Sequence, residues 1–165
     1  MAAYYNENDK KTADWLRQLI RAGLIANGDI DDRSIEEVTA EDIIGYTQHH
    51  FFAGIGGWSY ALRLAGLDDK EKVCTASLPC QPFSVAGKQE GEKDLRNLLP
   101  CFLNLIKDIK PKIIFGEQVE NAIKHGWSES LQTGLEREGY AVRFEVLGAH
   151  SAGAPNTSNR TAKEG

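Results

Sequence analysis

Cys80 stands between two prolines in the run Ala76-Ser77-Leu78-Pro79-Cys80-Gln81-Pro82-Phe83-Ser84. The preceding Val73-Cys74-Thr75-Ala76 reads as a short β run. Proline fixes φ and cannot donate to a ladder, so Cys80 is expected on a stiff loop at a strand's carboxyl end. In open α/β sheets that edge is where ligands bind. A thiol so placed is either a nucleophile or a small buried hydrophobe, the commonest state of a free cysteine. Glu117 follows the apolar run Ile113-Ile114-Phe115 directly and is expected at the same rim, as a group of the site or as a solvated acid. Gly54-Ile55-Gly56-Gly57 is the third feature. Glycines let a ligand approach the backbone, and a helix N-terminus favours carboxylate or phosphate, although such turns also serve simple packing. Glu7 and Asp29 each sit where a strand would end, where a carboxylate can take ribose hydroxyls or an adenine amino group; the alternatives are a loop acid or a helix cap.

The elements that must position these groups are legible from periodicity. Ala13, Leu16, Leu19 and Ile20 predict a helix from Asp9, its N-cap, to Gly23, its C′ residue. Ser34 with Glu37 fits a capping box, followed by one or two turns over 38–44. A short apolar strand over 48–53 runs into the glycine turn, and 58–65 reads as a helix stopped at Gly66. After a polar surface segment at 86–94, Leu95, Leu98, Leu99, Phe102, Ile106 and Ile109 mark one face of an amphipathic helix closed by Lys110-Pro111. A strand over 112–116 follows, then a helix carrying Trp127, Leu131 and Leu135, then a strand over 140–147 with Val142, Phe144 and Val146 on one face. Strands alternating with helices predict a doubly wound, parallel α/β sheet. Residues 1–150 are expected to form one domain, and the Ser, Gly, Asn, Thr and Ala composition of 151–165 predicts a disordered tail.

Composition narrows the function classes. The chain has 165 residues, 41% hydrophobic and 26% charged, ordinary values for a globular domain. No stretch approaches the ~20 apolar residues of a membrane span, and the amino end lacks the pattern of a signal peptide, so a cytoplasmic protein is expected. Cys74, Cys80 and Cys101 form no CxxC pair, which argues against a disulfide framework and against a cysteine metal site. A net charge of −5 is not that of a typical DNA binder, so any phosphate grip must come from local patches or from elsewhere.

In combination these residues resemble the cytosine-C5 DNA methyltransferase family of bacteria and phages. Phe52-Ala53-Gly54-Ile55-Gly56-Gly57 is similar to its cofactor motif F-x-G-x-G-G, and Pro79-Cys80-Gln81-Pro82-Phe83-Ser84 to its nucleophile motif at every position. Asp94-Leu95-Arg96-Asn97-Leu98-Leu99 resembles the segment after the nucleophile loop. Glu117-Gln118-Val119 stands for the family's Glu-Asn-Val, with Gln118 in place of asparagine; Glu120-Asn121-Ala122 is a rival, but Glu117 follows its strand immediately. The family places a strand ending in an acid, then one ending in aspartate, between its glycine turn and its cysteine loop. Here only 22 residues, Trp58 to Pro79, separate the two. Glu7-Asn8-Asp9 and Gly28-Asp29-Ile30 resemble the missing segments, so the motif order looks permuted: residues 1–45 supply two cofactor-binding units, and 46–150 the glycine turn, nucleophile loop and catalytic glutamate.

The resemblance implies a Rossmann-like fold of the S-adenosylmethionine-dependent methyltransferase type, C-terminally truncated, and S-adenosylmethionine as cofactor. It implies DNA (cytosine-5)-methyltransferase activity of the restriction-modification kind: Cys80 attacks C6 of a flipped-out cytosine, and Glu117 holds the base and protonates N3. Phe52, Gly54, Ile55, Gly57, Glu7, Asn8, Asp29, Ile30, Pro79 and Leu99 match cofactor contacts by motif, and Gln81, Ser84, Arg96 and Arg160 are the candidate DNA contacts. The implied substrate is double-stranded DNA, with no metal and no membrane. The family's Gln-x-Arg-x-Arg motif would fall near 156–160, where only Arg160 corresponds, and its target-recognition domain and last sheet elements are expected to be absent. Two classes of function stay open: a methyltransferase, helped by a second chain that supplies target recognition, or an inactive relic or cofactor-binding module that needs a partner to bind DNA.

Overall fold

Ala3–Asn6 is buried at all four positions, and this short strand, β1, sits inside the sheet rather than at its edge. The computed structural model describes residues 2–79, 92–119, 127–153 and 159–164. In chain order, β1 is followed by α1 (Lys10–Arg21), β2 (Gly28–Asp31), α2 (Ala40–Ile43), β3 (Gln48–Phe51) and α3 (Gly57–Leu64). Then come β4 (Val73–Ala76), α4 (Glu92–Ile109), β5 (Ile113–Val119), α5 (Trp127–Arg137), β6 (Arg143–Gly148) and β7 (Asn159–Glu164). The strands form one seven-stranded sheet in the order β2-β1-β3-β4-β5-β7-β6.

The first five strands are parallel and in register: Ala3 pairs with both Gly28 and Gln48, Gln48 with Val73, and Val73 with Ile113. The close β1–β2 approach depends on Gly28, where an added Cβ would lie 1.8 Å from the carbonyl oxygen of Ala3. The two outer strands are antiparallel, with β7 between β5 and β6. This corrects the expectation for the end of the chain: residues 159–164, assigned by composition to a disordered tail, form a strand. Their ladder bonds are made by backbone, which polar side chains do not forbid when two partner strands are already in place. Arg160 accordingly lies within β7, opposite Val119 and Leu147.

Helices cover both faces. Leu16 of α1 and Ser59 of α3 lie on the side of Ala3 and Tyr5, where the Tyr5 hydroxyl donates to Ala26 O at 2.6 Å and meets Ser59 Oγ at 2.9 Å. The other face buries Tyr4, Phe51, Cys74, Ala76 and Ile114 against Ile43 of α2, Phe102 and Ile106 of α4, and Leu131 and Leu135 of α5. Helix α1 begins as its sequence predicts, the Asp9 carboxylate accepting from Thr12 N–H at 2.8 Å. Ser34 instead caps a single 3-10 turn, Ile35–Glu37, and the box at α2 is made by Thr39 and Asp42, whose carboxylate accepts from Thr39 N–H at 2.9 Å. No helix among the described residues is long and apolar enough to cross a membrane.

β3 departs from its expected apolar character. Gln48, His49 and His50 are all buried. His50 lies 2.8 Å from Thr75 Oγ1 through Nδ1 and 3.2 Å from Gln48 Oε1 through Nε2. The amide oxygen can only accept, so Nε2 carries the proton and Nδ1 accepts from the Thr75 hydroxyl, which satisfies the neutral ring. Burial, with a smaller repulsion from His49, pushes His50 down from 6.5 to about 3. His49 is also lowered by burial.

Between about pH 6.5 and 3 the unfolded chain therefore binds a proton at position 50 that the folded chain refuses, so stability is full above 6.5 and falls as pH drops through this window. Thermal melts from pH 7 to 4 will show this loss, and His50→Gln will flatten the slope by up to about 1.4 kcal/mol per pH unit. Gly28→Ala will cost about 2–3 kcal/mol by urea denaturation, because the intruding methyl meets backbone that cannot rotate away.

Candidate active site

The carboxyl ends of the parallel strands lie level, with Asn6, Phe51, Ala76 and Gly116 in line across the sheet. β3 leads into α3 on one face, while β4 precedes α4 on the other. Where adjacent loops part to opposite faces an α/β sheet opens a crevice, bordered by the groups just past β3 and β4. Glu117 borders it from within β5 rather than after it: pairing with β4 stops at Gly116, but pairing with β7 carries the strand on to Val119. One cleft, of about 470 Å³, is lined by Phe52, the Gly54–Gly57 turn, Trp58, Ala61, Ser77 and Glu117. A second, of about 240 Å³, lies across Phe52 and is lined by Asn6, Glu7, Asn8, Ser34–Glu36, Pro79 and Leu98.

The turn's backbone explains its composition. Gly54 and Gly56 have φ of +53° and +80°, a region that suits glycine. Phe52 adopts φ +52° without that freedom, a strained conformation held at the boundary of both clefts. Gly57 needs glycine for neither φ nor packing, since an added Cβ there meets nothing within 4 Å. Its missing side chain leaves the cleft wall open. Glu7 joins the turn to β1: its Oε2 accepts from Gly54 N–H at 2.8 Å and its Oε1 from Asp9 N–H at 3.0 Å. A carboxylate has about four acceptor positions, so two remain for ligand hydroxyls.

Glu117 thus shares a cleft with Phe52, Gly54, Ile55 and Gly57, while Glu7, Asn8 and Pro79 share the neighbouring one with Phe52. Three of the expected cofactor contacts lie elsewhere. Asp29 lies two residues before the end of β2, level with Tyr4, and accepts from the Tyr46 hydroxyl at 2.8 Å. Ile30 packs toward the core cluster of Ala3 and Tyr5. Asp31 ends the strand instead; burial would raise its carboxyl, but Arg33 and the Tyr4 hydroxyl outweigh this and hold it below the usual range. Leu99 packs on the core, and its neighbour Leu98 lines the cleft. Cys80, Gln81 and Ser84 lie outside the described residues, and Arg96 is placed only as a position on α4. Cys74, on the strand that leads to Cys80, is fully buried, and burial pushes its thiol far above the usual range. It is an inert core residue.

Trp58 and Ser77 border the site without a role assigned from sequence, and Gln118, noted only as a replacement for the family's asparagine, has a contact that sequence did not give. Trp58 donates from Nε1 to Ser77 Oγ at 3.2 Å and stacks on Phe115 with centroids 5.9 Å apart. Gln118, 5% exposed, donates from Nε2 to Leu78 O at 3.0 Å. The available signals were an aromatic at the first turn of a helix after a glycine loop, and an amide at a buried strand position.

Residues 67–162 match the family model of the C-5 cytosine-specific DNA methylase. The type II methyltransferase M.AplI of Arthrospira platensis is 36% identical over 84 residues, covering 50% of this chain and 24% of that protein. M.PspPI of a Psychrobacter species is 30% identical over 149 residues, covering 65% and 36%, and M.HhaI of Haemophilus parahaemolyticus 32% over 98 residues, covering 57% and 30%. The chain therefore spans between about a quarter and a third of the length of these relatives. Among solved structures, the Entamoeba histolytica methyltransferase EhMeth superposes with a TM-score of 0.61 at 14% identity, over 98% of this chain and 43% of that one. The S. pombe Dnmt2 methyltransferase gives 0.57 at 16%, over 98% and 49%. These likenesses establish the fold, and with the family match over more than half its length the chain belongs to the C-5 cytosine-specific DNA methylases.

Proposed function

We propose that this chain is the catalytic part of a DNA (cytosine-5)-methyltransferase that uses S-adenosylmethionine. The observation that carries the reading is the single cleft shared by Glu117, the Gly54–Gly57 turn and Ser77, three residues before Cys80. The cofactor fits the residues present. Glu7 has acceptor positions left for ribose hydroxyls, Asn8 and Ser34 add polar groups, and Phe52, Ile35, Pro79 and Leu98 supply apolar surface for an adenine ring. The open wall at Gly57 leaves room for the methionyl end beside α3. Bound there, S-adenosylmethionine would supply an electrophilic methyl group.

The chain's own residues have the remaining work. Cytosine C5 is a weak nucleophile, so the Cys80 thiolate adds to C6 and drives electron density onto C5. Glu117 hydrogen-bonds the base edge and gives a proton to N3 as the thiolate adds, which spreads the developing negative charge. The base must leave the duplex stack to reach this cleft, so the substrate cytosine is flipped out of double-stranded DNA. The net charge of −5 supports a second chain, or a further segment, as the source of target recognition and phosphate contacts. The Glu7–Gly54 bond supports the permuted reading, in which β1 and β2 supply cofactor-binding units that the family carries after its glycine turn.

The test is incubation with S-adenosylmethionine and duplex DNA containing 5-fluorocytosine, followed by mass measurement. A covalent adduct is expected, abolished by Cys80→Ser and slowed about a hundredfold or more by Glu117→Gln. Cofactor binding without adduct until a second chain is added would mark a subunit. Failure to bind cofactor at all would overturn the enzymatic reading and leave a relic. Glu7→Ala will weaken cofactor binding about tenfold by calorimetry, the loss of a charge-assisted hydrogen bond.

A further inference from the structure

Past Ala76 the regular pairing of β4 ends. The last backbone bond to β3, from Ser77 N–H to Phe51 O, is already long at 3.4 Å, and the last pair with β5 is Ala76 with Gly116. Pro79 has no N–H to offer. Ser77 and Leu78, the residues just before Pro79-Cys80, are instead held by side chains from opposite faces of the sheet. On the α3 face, Trp58 donates to Ser77 Oγ at 3.2 Å, and its ring is fixed by stacking on Phe115 at an interplanar angle of 22°. On the α4 face, Gln118 donates to Leu78 O at 3.0 Å. Gln118 and Leu78 are only 5% and 6% exposed, so this carbonyl would be costly to leave unmatched.

We infer that Trp58 and Gln118 are positioning residues: a two-sided clamp on Ser77-Leu78 that sets the direction in which the chain leaves β4, and hence where the Cys80 thiol meets the base. The inference rests on the function proposed above, and it separates two contributions to catalysis. Trp58 and Ser77 line the cleft shared with Glu117, whereas Gln118 borders neither cleft. Loss of the Gln118 bond therefore slows addition of the thiol while leaving cofactor affinity unchanged. The four atoms involved also divide into two independent pairs, so Trp58 and Ser77 act as one unit and Gln118 and Leu78 as another.

The experiment uses the full chain in four variants: Trp58→Phe, which keeps the stack and removes the donor; Ser77→Ala, which removes the acceptor; their double; and Gln118→Leu. Each single change is expected to lower the rate of 5-fluorocytosine adduct formation about fivefold, the equivalent of one ordinary hydrogen bond, and in Gln118→Leu, which lies outside both clefts, the S-adenosylmethionine dissociation constant stays within about twofold of the parent. The double variant is expected to match either of its parents, because both remove the same bond. Hydrogen exchange judges the clamp without reference to activity: peptides spanning 77–79 will exchange about fivefold faster in each variant, while peptides from α1 stay unchanged. Gln118→Glu guards against simple misfolding, since its protonated carboxyl can donate to Leu78 O, so protection at 77–79, measured against intrinsic exchange at each pH, will rise as pH is lowered and will not do so in Gln118→Leu. Unchanged exchange at 77–79, or a cofactor affinity in Gln118→Leu that falls in step with the rate, overturns the inference. If the parent chain forms no adduct, the enzymatic reading fails, and the exchange result still decides whether the clamp exists.

Discussion

The insertion of β1 between β2 and β3 is the constraint on which the rest of the structure depends. A parallel strand in this position is buried on both faces, so each of its polar groups must be matched by a neighbour. The Tyr4 hydroxyl finds Asp31, the Tyr5 hydroxyl finds Ala26 and Ser59, and the Asn6 amide finds Arg33 O at 2.9 Å. The same insertion carries Glu7 to the rim beside the loop that follows β3, and its carboxylate reaches Gly54 from forty-seven residues away in sequence. Tight pairing to β2 requires the bare backbone of Gly28. Moving β1 out of this slot would take Glu7 from the cleft beside Phe52 and the side chains of Ala3, Tyr4 and Tyr5 from both core clusters together.

Chirality and crossover then locate the site. Because α3 lies on one face and α4 on the other, the loops after β3 and β4 diverge, and the space between them is open to a ligand. The strained Phe52 and the left-handed Gly54 and Gly56 hold one wall of that space, and Glu117 and Ser77 the other. Two thiols on one strand and its extension illustrate how position decides chemistry. Cys74 points into the core and is inert, whereas Cys80 follows Ser77 and Leu78, which Trp58 and Gln118 hold where the pairing of β4 ends.

Much of this was legible in the residues, and the failures have definite causes. Helix faces and the glycine turn follow from short-range periodicity and turn chemistry, which act within a few residues, whereas β5 runs past its expected end, through Glu117 to Val119, because β7 pairs with it there. Asp29 was misplaced because strand ends depend on pairing with β1, and that pairing places the terminus two residues later, at Asp31. Leu99 matches a cofactor contact by motif, yet Leu98 lines the cleft; both belong to the apolar stripe of α4, and which one meets the cleft depends on how the helix is rotated against the sheet. The buried histidines of β3 looked like part of an apolar run because their partners, Thr75 and the Ile43 carbonyl, come from other elements. The polar composition of 159–164 concealed a strand whose backbone is matched on both sides.

The sequence by itself determined the chemistry: a cysteine between prolines, a glutamate after an apolar run and a glycine turn with no side chain at position 57. These are local facts, set by residue type and by what each backbone can adopt. Only the tertiary structure decided that Glu7 meets Gly54, that Glu117 shares their rim, and that Ser77 and Leu78 are held from both faces. Those contacts join residues tens of positions apart, and they exist only once the parallel register has aligned the carboxyl ends of the strands.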